Sequence, residues 1–470
     1  MNLAKILDRA LASDNLYEKL RLSRLYCHLV TGGKELIYDA NLFEAKISTH
    51  FCSLVKDIAI EENVISTNHV LHVISEAYLS GGHTRLCENI ASMDEVTPDL
   101  LISRDASALV IKRLHKHFVN VFFLNNDDEC ERLVNIYLKV VKYKSVVIHI
   151  HPDDILTTIA LNLAKMIAPN LNVYFINHAD HLFSYGKSAA DCVFQISYRG
   201  YEIDRLISDK NYENSFLGIP VSFNKNDLIL KEGNKILVAG ASYKMKPWKN
   251  ISLPRELIDF LRVHTSHTVK IVGVGYFDYW WWHLKLLFPK RVKIYSEMSY
   301  PLYIKTVNDS DICIDTAPIT GGTAFVEMFT KSLYPIALKS GIYGYTPLDQ
   351  VRVKNLTSSK VYTKEDIARI YGDVILVHSF DNVARRYQEG FNQNYQDIPS
   401  VLTQYENDMS LFIRSNKAKL TSLVFKDILK INSYTLSEKI SLLLFKFDLL
   451  GAFSRKIVHY IKAKLMLVKG

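Results

Sequence analysis

Asp315-Thr-Ala-Pro318-Ile-Thr-Gly321-Gly322-Thr323-Ala-Phe-Val-Glu327, preceded by the apolar run Ile312 to Ile314, sets the reading of this chain. The apolar run predicts a strand, and Pro318 stops it. Thr320, Gly321, Gly322 and Thr323 make a small turn, and Ala324 to Ser332 is compatible with a helix. A strand, a glycine turn and a helix N-terminus together form an anion site. Uncapped backbone N–H groups and the helix dipole point at one spot, and glycine lets the main chain come close to the ligand.

Working outward, short β-branched runs alternate with amphipathic stretches long enough for helices. Val70–Ile74, Leu100–Ser103, Val119–Leu124, Val146–Ile150, Val173–Ile176 and Val193–Ile196 read as strands of one series. Ile236–Ala239, Val269–Val272, Val292–Tyr295, Ile312–Ile314 and Tyr334–Leu338 read as strands of a second. Strand–helix alternation predicts a parallel sheet covered on both faces. The expected fold class is therefore α/β, with two doubly wound Rossmann-like domains facing a cleft. The segment 218–227 reads as the link between them. The expected divisions are a helical extension over 1–65, an N-terminal Rossmann-like acceptor domain over 66–222, a C-terminal Rossmann-like nucleotide domain over 223–400 and a helical segment over 401–470.

Three further loops of the second series fall at strand ends. Ala239-Gly-Ala-Ser242-Tyr-Lys244-Met-Lys246 offers a hydroxyl and two ammonium groups to a diphosphate. Val272-Gly-Val-Gly275 is a glycine turn, and Ser296-Glu-Met-Ser-Tyr-Pro301 is a polar loop ahead of a helix. Taken in order, a Ser/Lys loop, a GxG turn, a polar loop and a PxTGGTxxxE turn resemble the nucleotide-sugar half of GT-B glycosyltransferases. The turn is especially similar to that of O-GlcNAc transferase-like and related bacterial enzymes. The resemblance covers roughly residues 65–400 as architecture and is motif-specific only around 239–246 and 315–327. It implies that Gly321, Gly322 and Thr323 hold a diphosphate, that Glu327 holds a ribose, and that Lys244 or Lys246 neutralises the leaving nucleotide. Many retaining members carry a second glutamate eight residues before the ribose-binding one. That position is Ile319 here, so retention does not carry over, and inversion is at least as well supported.

In the first series, Leu79-Ser-Gly81-Gly82-His83-Thr-Arg85 is a second glycine turn entering a helix. It resembles the glycine-rich loop that faces the donor across the cleft in GT-B enzymes, with Arg85 placed to meet a phosphate. Two histidine groups, His149-Ile-His151-Pro-Asp153-Asp154 and Asn177-His178-Ala-Asp180-His181, end successive strands and are expected at the carboxyl edge of the sheet. Inverting transfer needs a base for the acceptor hydroxyl, and imidazole titrates in the right range. His178 with Asp180 leads, with His181 and His151 as rivals. No catalytic metal is expected, because the histidine spacing lacks a helical i, i+4 pair and no cysteine lies nearby in sequence.

The expected activity is transfer of a hexosyl or N-acetylhexosaminyl group from a nucleoside-diphosphate sugar to a glycan or lipid-linked glycan, in surface polysaccharide synthesis. UDP is the expected nucleotide, although no residue separates it from GDP or CMP. Protein glycosylation, sugar-nucleotide epimerisation and a non-catalytic scaffold stay open. A formal charge of +8 favours anionic partners, and no nucleic-acid-binding motif accompanies it. Cys27, Cys52, Cys87, Cys130, Cys192 and Cys313 form no CxxC pair and fit a reducing cytoplasm. The segment 437–470 reads as a basic amphipathic helix for contact with the inner face of a membrane. Tyr279-Trp-Trp-Trp-His283 cannot bury all three indoles on one helical face and is expected to pack between domains.

Overall fold

The computed structural model describes residues 3–31, 41–56, 67–79, 82–124, 128–180, 182–205, 210–223, 228–275, 277–296, 298–358, 361–407, 421–447 and 449. The chain forms two parallel sheets. The first contains β1 (Thr67–Ala77), β2 (Asp99–Ala106), β3 (Val121–Phe123), β4 (Tyr143–His149), β5 (Asn172–Asn177), β6 (Cys192–Gln195) and β7 (Glu213–Phe216), in the order β3-β2-β1-β4-β5-β6-β7. The second contains β8 (Lys235–Ala239), β9 (Thr268–Val272), β10 (Val292–Tyr295), β11 (Ile312–Ile314), β12 (Tyr334–Leu338) and β13 (Arg352–Val353), in the order β10-β9-β8-β11-β12-β13. Two doubly wound Rossmann-like halves are thus observed, as the alternation predicts.

Central strands read clearly because both of their faces are buried. Val146 and Ile148 of β4, Val173 and Phe175 of β5, and Ile236 and Val238 of β8 are at most 1% exposed. Each such side chain contributes about 1.5–3 kcal/mol of transfer free energy. Of the four edge strands, β7 and β13 have no such run. Glu213-Asn-Ser-Phe216 is mostly polar, and β13 has two residues. The sequence pattern marks neither of them.

In each sheet the strand order reverses at one place, between β1 and β4 and between β8 and β11. The loops leaving these four strands are Leu79–Arg85, His149–Asp154, Ala239–Lys246 and Asp315–Glu327. A doubly wound sheet opens a crevice at such a point.

The terminal segments both pack on the first half. Helices Leu3–Ala12, Leu16–Thr31 and Asn41–Lys56 cover it, and helix Ser422–Lys430 returns to the same side. Arg24 Nε and Nη2 donate to the two carboxylate oxygens of Asp427 at 2.9 and 2.8 Å, and Arg24 also meets Glu129 at 2.7 Å. Helix Phe380–Phe391 crosses back as well. The Phe391 ring stacks on Tyr174 at 3.9 Å, and Tyr387 Oη donates to Asp94 at 3.0 Å.

The tryptophan run does not pack between the halves. Trp281 lies in the core of the second half, Trp280 is half-buried and Trp282 is exposed. The run enters a helix through a 3₁₀ turn, so the three indoles diverge. Of the basic segment 437–470, only 437–447 and 449 are among the described residues. No helix among the described residues is long and apolar enough to cross a membrane.

Candidate functional site

The glycine turn after β11 is braced from below. Asp315, the first residue of the motif, turns inward. Its Oδ1 accepts from the backbone N–H of Thr316 and of Gly321, each at 2.8 Å. Its Oδ2 accepts from Arg352 Nη2 at 2.6 Å. Arg352 also donates to Asp349 at 2.6 Å, and Asp349 accepts from Gly344 N–H at 2.6 Å. All three charged groups are buried. A buried arginine between two carboxylates is tolerated because its planar fork satisfies both. Glycine at 321 is obligatory in this turn, since a Cβ there would stand 2.3 Å from Asp315 Oδ1. The peptide Ala317–Pro318 is cis.

Above this brace the turn presents donors. Gly322 is the N-cap of helix Thr323–Thr330 and supplies no capping side chain. No side chain caps the first turn, although its Phe325 N–H turns back to the Gly322 carbonyl at 3.3 Å, and such a helix start suits an anion. The loop after β8 lies alongside, with Ile319 N–H donating to the Lys244 carbonyl at 3.1 Å. Lys244 Nζ stands 4.0 Å from where a Gly322 Cβ would be. Burial, reinforced by the nearby Arg199 charge, pushes the Lys244 pKa down to about 8. The Ser242 hydroxyl is buried and has no hydrogen-bond partner among the described residues. Lys246 is exposed, 5.9 Å over the Trp280 ring, and so lies apart from the turn that Lys244 approaches. The GxG turn after β9 supports this loop. Gly273 has φ +96°, and a Cβ there would meet the Gly240 carbonyl at 2.1 Å.

The two halves meet at this turn. A Cβ on Gly82 would lie 4.0 Å from Thr323 Oγ1, so the glycine loop of the first half faces the one of the second. The Arg85 guanidinium lies 3.3 Å over the ring of Tyr300, and Tyr300 Oη donates to Glu327 Oε1 at 2.7 Å. Arg85 and Glu327, expected to hold phosphate and ribose, are thus joined through a tyrosine. Gly81 and His181 lie outside the described residues.

Arg199 is a second bridge, and no sequence signal identifies it among the 57 lysines and arginines. It follows β6 and is buried. Its Nε donates to Asp180 Oδ2 at 2.6 Å and its Nη1 to Thr320 Oγ1 at 3.2 Å. Ser197 Oγ donates to the same Asp180 oxygen. Asp180, expected to orient His178, holds through its Oδ2 the bridge that reaches the Gly321 turn.

The histidines are divided between edge and core. His149 is fully buried and points inward to His72, away from the edge where it was expected. His83 donates or accepts at 2.7 Å through Nε2, and because its partner is the His149 carbonyl, it donates. The rings of His83 and His178 stack at 4.0 Å. Burial pushes the His83 pKa down to about 4, leaving it neutral at neutral pH. His151 remains at the edge, with Nδ1 2.6 Å from Asp153 Oδ1. Asp153 is held in turn by Arg104 at 2.7 Å and His28 at 2.9 Å. Burial alone would lower the His151 pKa, but the hydrogen bond and charge of Asp153 outweigh it and raise it.

No family model matches the chain, and no curated protein matches it in sequence. Solved structures do resemble it. One is the lipopolysaccharide outer core galactosyltransferase WaaB in apo form, at 14% identity, with 69% of this chain and 99% of that chain covered and a TM-score of 0.47. Another is HepE of Anabaena in complex with UDP and glucose, at 14% identity, 72% and 98% coverage and a TM-score of 0.45. A third is a mutant O-GlcNAc transferase of Thermobaculum terrenum, at 11% identity, 84% and 76% coverage and a TM-score of 0.40. Similarity this low leaves the chemistry of the site to be read from this chain's own residues.

Proposed function

We propose that this chain is a glycosyltransferase that moves a sugar from a nucleoside-diphosphate sugar, with UDP as the expected nucleotide, to a glycan or lipid-linked glycan acceptor. The observation that carries the reading is the meeting of two glycine loops, one from each half, beside the Lys244 ammonium. A diphosphate in that gap would receive the uncapped amides of Gly322 and Thr323, the Lys244 charge and the free Ser242 hydroxyl. These donors favour the departing diphosphate, where negative charge builds up most in the transition state. Glu327 would exchange its bond to Tyr300 for the ribose hydroxyls.

His151 is the base we assign to the acceptor hydroxyl. Asp153 holds its Nδ1, which leaves Nε2 to take the proton. His178 is the alternative, packed against neutral His83 beside the Gly82 turn. The acceptor would approach from the first half, and contact with a membrane is supported by one exposed row. Leu436, Ile440 and Leu444 are 72%, 47% and 57% exposed on helix Leu436–Lys446, while Leu442 is buried. Spacing of four residues puts the row on one face.

Thermal unfolding with UDP, GDP, TDP, CMP and ADP tests the donor site, because a ligand that binds only the folded chain raises its stability. The expected result is selective stabilisation by UDP that is lost in Lys244→Ala. No shift with any nucleotide would overturn the reading.

A further inference from the structure

Just beneath the carboxyl edge of the first sheet, His72 of β1, His149 at the end of β4 and Cys87 on helix Gly82–Ala91 converge in the core of the first half. His72 is two residues before Ile74, which is the register partner of His149, so both imidazoles project from the same face of the sheet. Helix Gly82–Ala91 lays Cys87 over that face. The ligand atoms of the three side chains all lie within 4.8 Å of one another, and all three residues are completely buried.

We propose that His72, Cys87 and His149 bind a thiophilic divalent cation, zinc by donor type. The geometry is close to what the ion needs. His72 Nδ1 and His149 Nε2 face each other at 3.0 Å. Two imidazole nitrogens each about 2.1 Å from zinc stand about 3.4 Å apart at a tetrahedral angle. A small opening of the pair therefore admits the ion.

The surroundings match a ligand set. His72 Nε2 lies 2.8 Å from Asp94 Oδ2, and Asp94 is held by Tyr387 Oη at 3.0 Å. A carboxylate on the far nitrogen fixes the tautomer and turns the other nitrogen's lone pair toward the metal, the usual outer support of a zinc histidine. Charge also closes. One thiolate and one carboxylate offset a divalent cation, so the site is neutral in a core where net charge is costly. The Phe118 ring packs edge-on against His72 at 5.8 Å, and Ile74 and Ala91 share a buried apolar cluster with Cys87. An ordinary core would place hydrocarbon where this one has two imidazoles, a thiol and a carboxylate.

The role that follows is positional. The His149 carbonyl accepts from His83 Nε2, and Cys87 shares a helix with Gly82. A cation here would tie the end of β4 to the helix that carries the first glycine turn.

The test uses the full chain, produced in zinc-supplemented medium with any histidine tag removed. Elemental analysis should find stoichiometric zinc. Unfolding with chelator and refolding with cobalt(II) should give d–d bands of a low-coordinate ion and a thiolate-to-cobalt charge-transfer band. Cys87→Ser should remove the charge-transfer band. Metal-free protein that also shows no cobalt bands would overturn the proposal and leave a hydrogen-bonded histidine pair. Zinc whose cobalt replacement lacks thiolate charge transfer would place the ion elsewhere and overturn it equally.

Discussion

The second half carries amides, glycines and an ammonium at its switch point, held up by Asp315, Arg352 and Asp349 in the interior. The first half carries imidazoles at the corresponding point, with Asp153 and Arg104 behind them. The two sheets repeat one strand order, β3-β2-β1-β4 in the first and β10-β9-β8-β11 in the second, so backbone topology does not separate them. Side-chain chemistry does. On the proposed function, one edge would take the anion and the other the proton. The buried charges serve different ends as well. In the second half they shape a backbone turn, and in the first they set a ring's protonation.

Removing the brace should break the comparison most severely. Asp315→Ala leaves Arg352 buried without one carboxylate and frees the Gly321 amide. Loss of one partner of a buried pair costs about 3–5 kcal/mol. Urea unfolding should show a loss of that order, and UDP should no longer stabilise what remains folded. An unchanged midpoint would mean that the loop is held by something other than this network.

The imidazole edge should respond in rate with little change in stability. His151→Ala is expected to lower kcat by about 100- to 10,000-fold, the usual contribution of a general base. The base acts unprotonated, and Asp153 raises its pKa. The acid limb of the kcat/KM profile should therefore lie above the ordinary histidine value of about 6.5. Asp153→Asn removes the charge that holds the proton, so the limb should move to lower pH. A profile unmoved by Asp153→Asn, with activity lost in His178→Ala, would transfer the role to His178.

Gly321→Ala separates shape from charge within the turn. The added methyl meets Asp315 Oδ1, so the loop must shift. Nucleotide affinity should fall at least tenfold while unfolding changes less than in Asp315→Ala. Lys244 sharpens the electrostatic side. With its pKa near 8, the free side chain loses its charge as pH rises through that value. Calorimetric UDP affinity should therefore weaken above about pH 8 in the native chain, and Lys244→Met should flatten that dependence.

The smallest effect is expected where the halves touch. Arg85→Ala removes the stack on Tyr300, a contact of about 0.5–2 kcal/mol. The donor KM should change by several-fold, with kcat nearly constant. A large fall in kcat would instead make Arg85 part of the transition-state machinery.

Much of the architecture was legible in local patterns. Eleven strand segments announced themselves as apolar runs, nine of them interior strands that are paired on both sides and carry their signal in composition. The glycine turns were legible for a similar reason, since close backbone approach excludes most side chains at one known position. Glu327 could be named from its spacing to the turn, and Lys244 only together with Lys246, which the structure sets apart. The partners that position them could not. Arg199 is separated from Thr320 by 121 residues and Asp315 from Arg352 by 37, with no local pattern connecting either pair. His149 and His151 look alike in sequence, two residues apart, yet one is buried against His72 and the other stands beside Asp153.

The sequence by itself determined that two doubly wound sheets would form and where each would open, because hydrophobic periodicity and glycine placement act over a few residues. Only the tertiary structure decided which charges are braces and which remain for a ligand. That choice depends on burial and on partners far away in the chain, and a side chain acquires both only when the halves have folded and met.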